Sequence, residues 1–374
     1  MMGAALALAI AGAGIGVAGA QTHRDRSHFG HPGANHVVFV QTDNVAGNQV
    51  VAYDRADNGT LDLAATYATG GLGGALSGAK VDDLASQGSL GYSSDHGLLV
   101  AVNAGSNTIS VFRVHGDRLA LQEILPSGGT FPVSVAIHGD LVYVLNAENG
   151  GSVQGYRIVF GFVVPIFASN RALGLTSTDV FTATPGQVAF TPDGSQLVVT
   201  TKSNGNDIDV FSVGLDGRLS SSPVVNSEPG TVPFGVTFDP AGHLVVAEAG
   251  TNALATFSLS PSGVATEIDA VDNGQAATCW VAAVNGNLYV SNAGSGNLTL
   301  YQVSGGGALT LGPNTATDPG TVDAAASSDG NFLYVQTGKN GIVDEFQVAA
   351  NGALTGIGSV TVAGAVGGEG IVAF

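Results

Sequence analysis

LYVSNAGSGNLTLYQV, residues 288–303, is two runs of alternating apolar residues around a Gly/Ser/Asn centre. Period-two alternation on either side of turn-forming residues reads as a β-hairpin. The chain repeats it as LVAVNAGSNTISVFRV (99–114), VYVLNAENGGSVQGYRI (142–158), VVTTKSNGNDIDVFSV (198–213), LVVAEAGTNALATFSL (244–259) and LYVQTGKNGIVDEFQV (333–348), with a looser copy, VVFVQTDNVAGNQVVAYDR, at 37–55. An aromatic marks the second strand of all seven: Tyr53, Phe112, Tyr156, Phe211, Phe257, Tyr301 and Phe346, spaced 59, 44, 55, 46, 44 and 45 residues apart. Four strand-length runs recurring at such a period are the signature of a propeller blade. The fold expected is therefore all-β: a seven-bladed β-propeller of four-stranded antiparallel blades.

With strands A to D running from axis to rim, the repeating hairpin is B–C. PFGVTF (233–238) exemplifies strand A, and PDG (192–194) and PAG (240–242) exemplify the A–B turn. The first repeat has no strand A ahead of it. GEGIVAF (368–374) matches PGQVAF (185–190), so the last strand is expected to complete the first blade and close the ring. Two blades break the period. GGLGGALSGAKVDDLAS (70–86) is a long D-to-A connection expected over the mouth of the central channel. VFGFVVPIFASNRA (159–172) is an insertion between C and D, read as an elongated hairpin in preference to a partner patch.

Composition agrees with this frame. The 374 residues are 44% hydrophobic, enough to fill a core, and the 56 glycines lie between short apolar runs as in a turn-dense β protein. Eleven Lys+Arg against 29 Asp+Glu, a net charge of −18, repel phosphate backbones and anionic lipid. Nucleic acid is excluded as a partner, and so is a membrane once the leader is removed. Residues 1–20 read as a secretory signal closing on Ala18-Gly19-Ala20, which implies a secreted protein, extracellular or periplasmic. Their formal GxGxxG (Gly14 to Gly19) follows no strand and carries no nucleotide site. Residues 21–35 are a polar segment. His23, His28 and His31, with His36 just beyond, crowd there without regular ligand spacing, so a flexible tail is expected and not a metal site. The propeller occupies 36–374. Cys279, the only cysteine, allows no intrachain disulfide and no thiolate metal site. Asn204 to Asp209 is acidic but too short of ligands for calcium and reads as a hairpin turn. No cofactor or metal is expected, and a monomer is.

Hairpins of the form LYVxNAGSxN with an aromatic second strand and PDG-type turns resemble the seven-bladed β-propeller lactonase family, which includes bacterial phosphogluconolactonases and fungal carboxymuconate cyclases; YVTN-type surface propellers use the same hairpin. The resemblance covers about 36–374 and implies a site at the channel mouth, fed by the starts of the A strands. Enzymatic members carry Pro-Arg-His there. The matching positions here are Pro132-Val133-Ser134, Pro185-Gly186-Gln187, Pro233-Phe234-Gly235, Thr278-Cys279-Trp280 and Thr321-Val322-Asp323, without Arg or His, which argues against a phosphorylated sugar lactone.

Lactone hydrolysis needs a base to activate water and a donor or cation to steady the oxyanion. The carboxylates expected nearest the axis are Asp323 and Glu369, with Glu148 and Glu248 in B–C turns; these four are the candidate catalytic residues. Lys202 and Lys339 are the cations expected on that face. With Trp280, Gln187, Ser134 and Phe234 they form the candidate binding set for a small molecule in the central channel. Cys279 has no His neighbour and is a poor nucleophile. Two functions follow from this set: a lactone-ester hydrolase with an altered or degenerate site, or a non-catalytic extracellular binding propeller.

Overall fold

The computed structural model describes residues 36–374; the leader at 1–20 and the His-rich segment at 21–35 lie outside the described residues. Seven antiparallel sheets follow one another around a ring. Blade 2 has strands at Leu90–Ser93, Leu98–Asn103, Thr108–His115 and Arg118–Pro126, and blade 3 opens with Pro132–His138, Leu141–Asn146 and Ser152–Val159. Blade 4 runs from Val188–Phe190 to Val224–Ser227, blade 5 from Pro233–Phe238 to Ala265–Asp272, blade 6 from Thr278–Val284 to Leu309–Ala316 and blade 7 from Thr321–Ala326 to Leu354–Thr361. Blade 1 is composite. Ile371–Ala373 pairs with Val37–Gln41, which continues into Gln49–Arg55 and Leu61–Ala68. Phe374 adds reciprocal backbone hydrogen bonds to Val37 at 2.8 and 3.0 Å and stacks on Tyr92 of blade 2, ring centroids 4.2 Å apart. The last strand thus completes the first blade, as its sequence implies. No helix among the described residues is long and apolar enough to cross a membrane.

The repeated aromatics explain why blades pack face to face. All seven are buried between neighbouring sheets. A second device recurs on the B strands: Tyr143, Tyr289 and Tyr334 each donate at 2.7 Å to a glycine carbonyl in the C–D turn of the next blade, at Gly217, Gly352 and Gly59. Each ring is thereby buried without stranding its hydroxyl. Outer strands such as Leu61–Ala68 alternate outward-exposed positions, as a rim strand with one wet face must.

The segment at 159–172 is a hairpin, and it is the blade's own fourth strand: Phe162–Pro165 pairs with Tyr156–Val159, and Arg171–Ala172 returns to Ser152–Val153 after an outward loop. The 55-residue spacing has a different origin. Its extra residues form the long connection 173–187 into blade 4, on the same face as the connection 69–89 between blades 1 and 2. The two touch there: Ser77 N–H donates to Asp179 and Phe181 N–H to Ser77.

Candidate functional site

Connection 69–89 does more than cover the mouth; it fills it. Asp83 N–H donates to the Gly367 carbonyl at 2.8 Å, Ser86 Oγ to Val133 of blade 3, Lys202 Nζ of blade 4 to the Ala85 carbonyl at 2.6 Å, and Trp280 Nε1 of blade 6 to the Ser86 carbonyl at 2.5 Å. Gln87 exchanges bonds with both the N–H and the carbonyl of Val281. One short stretch is therefore fastened to four separate parts of the ring. Two glycines make room for it. A Cβ at Gly338 would sit 1.7 Å from the Val81 carbonyl oxygen, and one at Gly235 would sit 2.2 Å from Gln87 Oε1. Since the obstacle at Gly338 is backbone, Gly338→Ala is expected to displace Val81 and its neighbours, at a cost of about 1–3 kcal/mol from overpacking. Hydrogen exchange should show the Asp83 and Gln87 amides losing protection while the blade amides keep theirs. Unchanged protection at Asp83 would mean the close approach does not hold the plug.

Beneath the plug lies a nest of carboxyl groups. Glu369 is wholly buried; its Oε1 accepts from Gly88 N–H at 2.5 Å and Ser89 N–H at 3.3 Å, and its own N–H donates to Asp43 Oδ2 at 2.8 Å. Asp323 shares a hydrogen bond with the Glu369 carboxyl, so one of the two must be protonated. Burial, followed by the charges of Asp323, Asp82 and Asp43, pushes Glu369 well above the usual carboxyl range, which puts the proton there. Burial also raises Asp43 to about 8 and Asp323 to about 6.

Lys202 does not face the channel as a free cation. Its ammonium is buried and donates to the Ala85 carbonyl, the Phe181 carbonyl at 2.6 Å and Thr184 Oγ1 at 2.9 Å, with the Phe234 ring 5.1 Å away. Three donors meet three acceptors, one on the plug and two on connection 173–187. The expectation of a substrate-facing cation is corrected here: Lys202 is the bolt between the two caps.

An open cleft remains beside the plug, a pocket of about 320 Å³ walled by Phe181, Phe234, Trp280, Cys279 and Ala85, with Asp82 in its lining and Lys80 at its lip. Trp280 and Phe234 meet at 5.0 Å between centroids, tilted by 59°. Asp82 accepts from Leu84 N–H at 2.8 Å and Ser86 N–H at 2.9 Å. Burial outweighs those donors and the nearby Lys202 charge and raises Asp82 to about 7. Burial pushes the Cys279 thiol to about 12, which keeps it a thiol and not a thiolate.

The sequence candidates are thus dispersed. Asp323 and Glu369 are brought together, but beneath the plug. Glu248 closes strand B of blade 5 rather than lying in the turn; it is buried, bonded by Thr251 Oγ1 at 2.9 Å and raised by burial to about 7. Glu148 is half-exposed on blade 3. Trp280 and Phe234 do line the open pocket. Ser134 instead donates to the Gln87 carbonyl at 2.7 Å, and Gln187 Oε1 accepts from Val236 N–H, so both are spent within the frame. Lys339 lines a neighbouring pocket. Asp82, Lys80 and Phe181 were missed. The signal available for the first two was the KVDD cluster inside an otherwise small-residue connection.

No protein-family profile matches the chain, and no curated protein matches it in sequence. Solved structures do match. A Bacteroides fragilis protein provisionally called a 6-phosphogluconolactonase superposes with a TM-score of 0.71 at 19% identity over 88% of this chain and 96% of its own. A Lactobacillus plantarum protein gives 0.71 at 19% identity over 90% and 98%. The periplasmic gluconolactonase of Pseudomonas aeruginosa gives 0.69 at 17% identity over 90% and 98%. What the chain shares with them is the fold, that of the lactonase-type seven-bladed propellers.

Proposed function

We propose that the protein is an exported hydrolase that opens the lactone ring of a small organic molecule seated in the Trp280 pocket, with Asp82 as general base. The observation that carries this reading is the placement of a buried carboxyl group, Asp82, in the lining of a largely apolar pocket at the channel mouth, where burial raises it above the usual carboxyl range. In the reaction, water attacks the ring carbonyl carbon as the Asp82 carboxylate takes its proton. The acyl–oxygen bond then breaks, and the departing alkoxide takes the proton back, leaving a hydroxy acid. The apolar walls suit an uncharged ring. Export is supported by the leader-like residues 1–20 and the acidic composition, and by the periplasmic location in the name of the Pseudomonas neighbour. The outer strand of each blade remains a short edge at the rim, and pairing of the last strand with Val38–Val40 leaves no unpaired strand at the ring's seam, which supports a monomer.

A second reading, a propeller that binds without turnover, is favoured by the burial of Asp323 and Glu369 and by the engagement of Lys202 in structural bonds. Proton release from a panel of uncharged and carboxylated lactones, with the chain from residue 21 onward, separates the two. Turnover is expected, lowered about 100-fold or more in Asp82→Asn, with circular dichroism at the assay temperature checking that the variant is folded. Since the base must be unprotonated, kcat/KM should rise with pH up to about 7 and level off above it. No turnover across the panel would leave the binding reading.

A further inference from the structure

The Trp280 pocket has a neighbour. A second cavity, of about 400 Å³, is lined by Lys80, Lys339, Ser295, Thr317 and the glycines at 294, 296 and 320. The two share Lys80, Val81, Ala293 and Gly294, so only the thickness of those residues separates them. Their chemistry differs sharply. The first is aromatic and aliphatic; the second is small, polar and carries two exposed ammonium groups. In a chain with 11 basic and 29 acidic residues, two lysines at one cavity with no carboxylate in its lining are a local reversal of charge. Asp318, between two lining residues, turns elsewhere and is hydrogen-bonded to Asp344.

We propose that the two cavities form one bipartite site for an amphipathic organic anion, its aromatic or alkyl body in the Trp280 pocket and its carboxylate between Lys80 and Lys339. Burial of the body supplies affinity, and the lysines supply the choice of an anion over its neutral isostere. This chemistry matches the hydroxy acid that ring opening would produce, or a lactone already bearing a carboxylate. The inference rests on reading the Trp280 pocket as the ligand site; it does not require turnover.

Trp280 is the only tryptophan, so the emission of the full chain reports occupancy of the first cavity directly. Titration with 4-phenylbutyrate is expected to give a saturable change, and 4-phenylbutyramide a change with affinity about tenfold weaker, the discrimination expected of one or two partly desolvated charge contacts. In the Lys80→Gln, Lys339→Gln double variant the acid should fall to the level of the amide while the amide is unaffected. Both side chains are exposed, so the variant is expected to fold; raising salt on the unmodified protein, which should weaken only the acid, is an independent reading. Equal binding of acid and amide, binding of the acid unchanged in the double variant, or no binding at all would overturn the proposal. Preference for the acid without hydrolysis of any lactone would overturn the catalytic reading and leave this one. Hydrolysis of neutral lactones with no preference for the acid would do the reverse.

Discussion

A chain stopping at Gly367 is expected to lose its cooperative melt, or to melt at least about 15 °C lower, and to aggregate. The truncation removes the strand that pairs with Val38–Val40, the Phe374 ring stacked on Tyr92, and Glu369, whose backbone N–H donates to Asp43 and whose carboxyl accepts from Gly88. What remains is a seven-bladed ring with one three-stranded blade, its inner edge presenting free N–H and C=O groups at Val37–Gln41. Such an edge is a template for pairing with another chain. A peptide of residues 366–374 added in excess should restore part of the lost stability by strand addition. Scanning calorimetry with light scattering measures both effects; a melt within a few degrees of the full chain would show that the last strand does not lock the ring.

The second large effect is on pH. The carboxyls of Asp43, Asp82, Asp323 and Glu369 are all raised by burial, to about 8, 7 and 6 for the first three and well above the ordinary value for the last. In the unfolded chain these groups release their protons near pH 4. From there up to the folded values, the native state holds protons that the unfolded state has lost, so stability falls as pH rises. Lys202, lowered by burial to about 7, acts in the opposite sense and adds stability between about 7 and its unfolded value. One lysine against four carboxyls leaves the carboxyls dominant, and the loss of negative charge on acidification works in their favour. The melting temperature is expected to be highest near pH 5 and to drop by about 5–10 °C by pH 8, a loss of several kcal/mol. Glu369→Gln, which keeps the neutral shape, should flatten the profile. A melting temperature that is constant or rising between pH 5 and 8 would refute the protonated nest.

The frame was legible because it is periodic. Tyr53, Phe112, Tyr156, Phe211, Phe257, Tyr301 and Phe346 fall at the same place in every blade, and GEGIVAF repeats an A strand, so counting was enough to give seven blades and their closure. Asp323 and Glu369 were found for the same reason, since each sits at the start of an A strand or just before one. Their enclosure was not visible. It depends on what lies above them, and connection 69–89 follows no period that ties Asp82 or Ala85 to a place in the ring. The role of Lys202 was hidden likewise: its three acceptors lie in two connections of blades 2 and 4, up to 117 residues away in sequence. In blade 3 the extra length was legible but its place was not, because an apolar fourth strand and an apolar insertion look alike until register is known.

The composite first blade also imposes an order of events on the growing polypeptide. Val37–Gln41 emerges from the ribosome among the first ordered strands, yet Glu369, which bonds to Asp43 beside it, is 326 positions further on. At roughly 5–20 residues per second, the nascent chain carries that unmatched strand for on the order of 15–65 s. Six blades can assemble in that interval while the first waits. Export in an unfolded state would remove the hazard, since the whole chain is then present when the ring first forms.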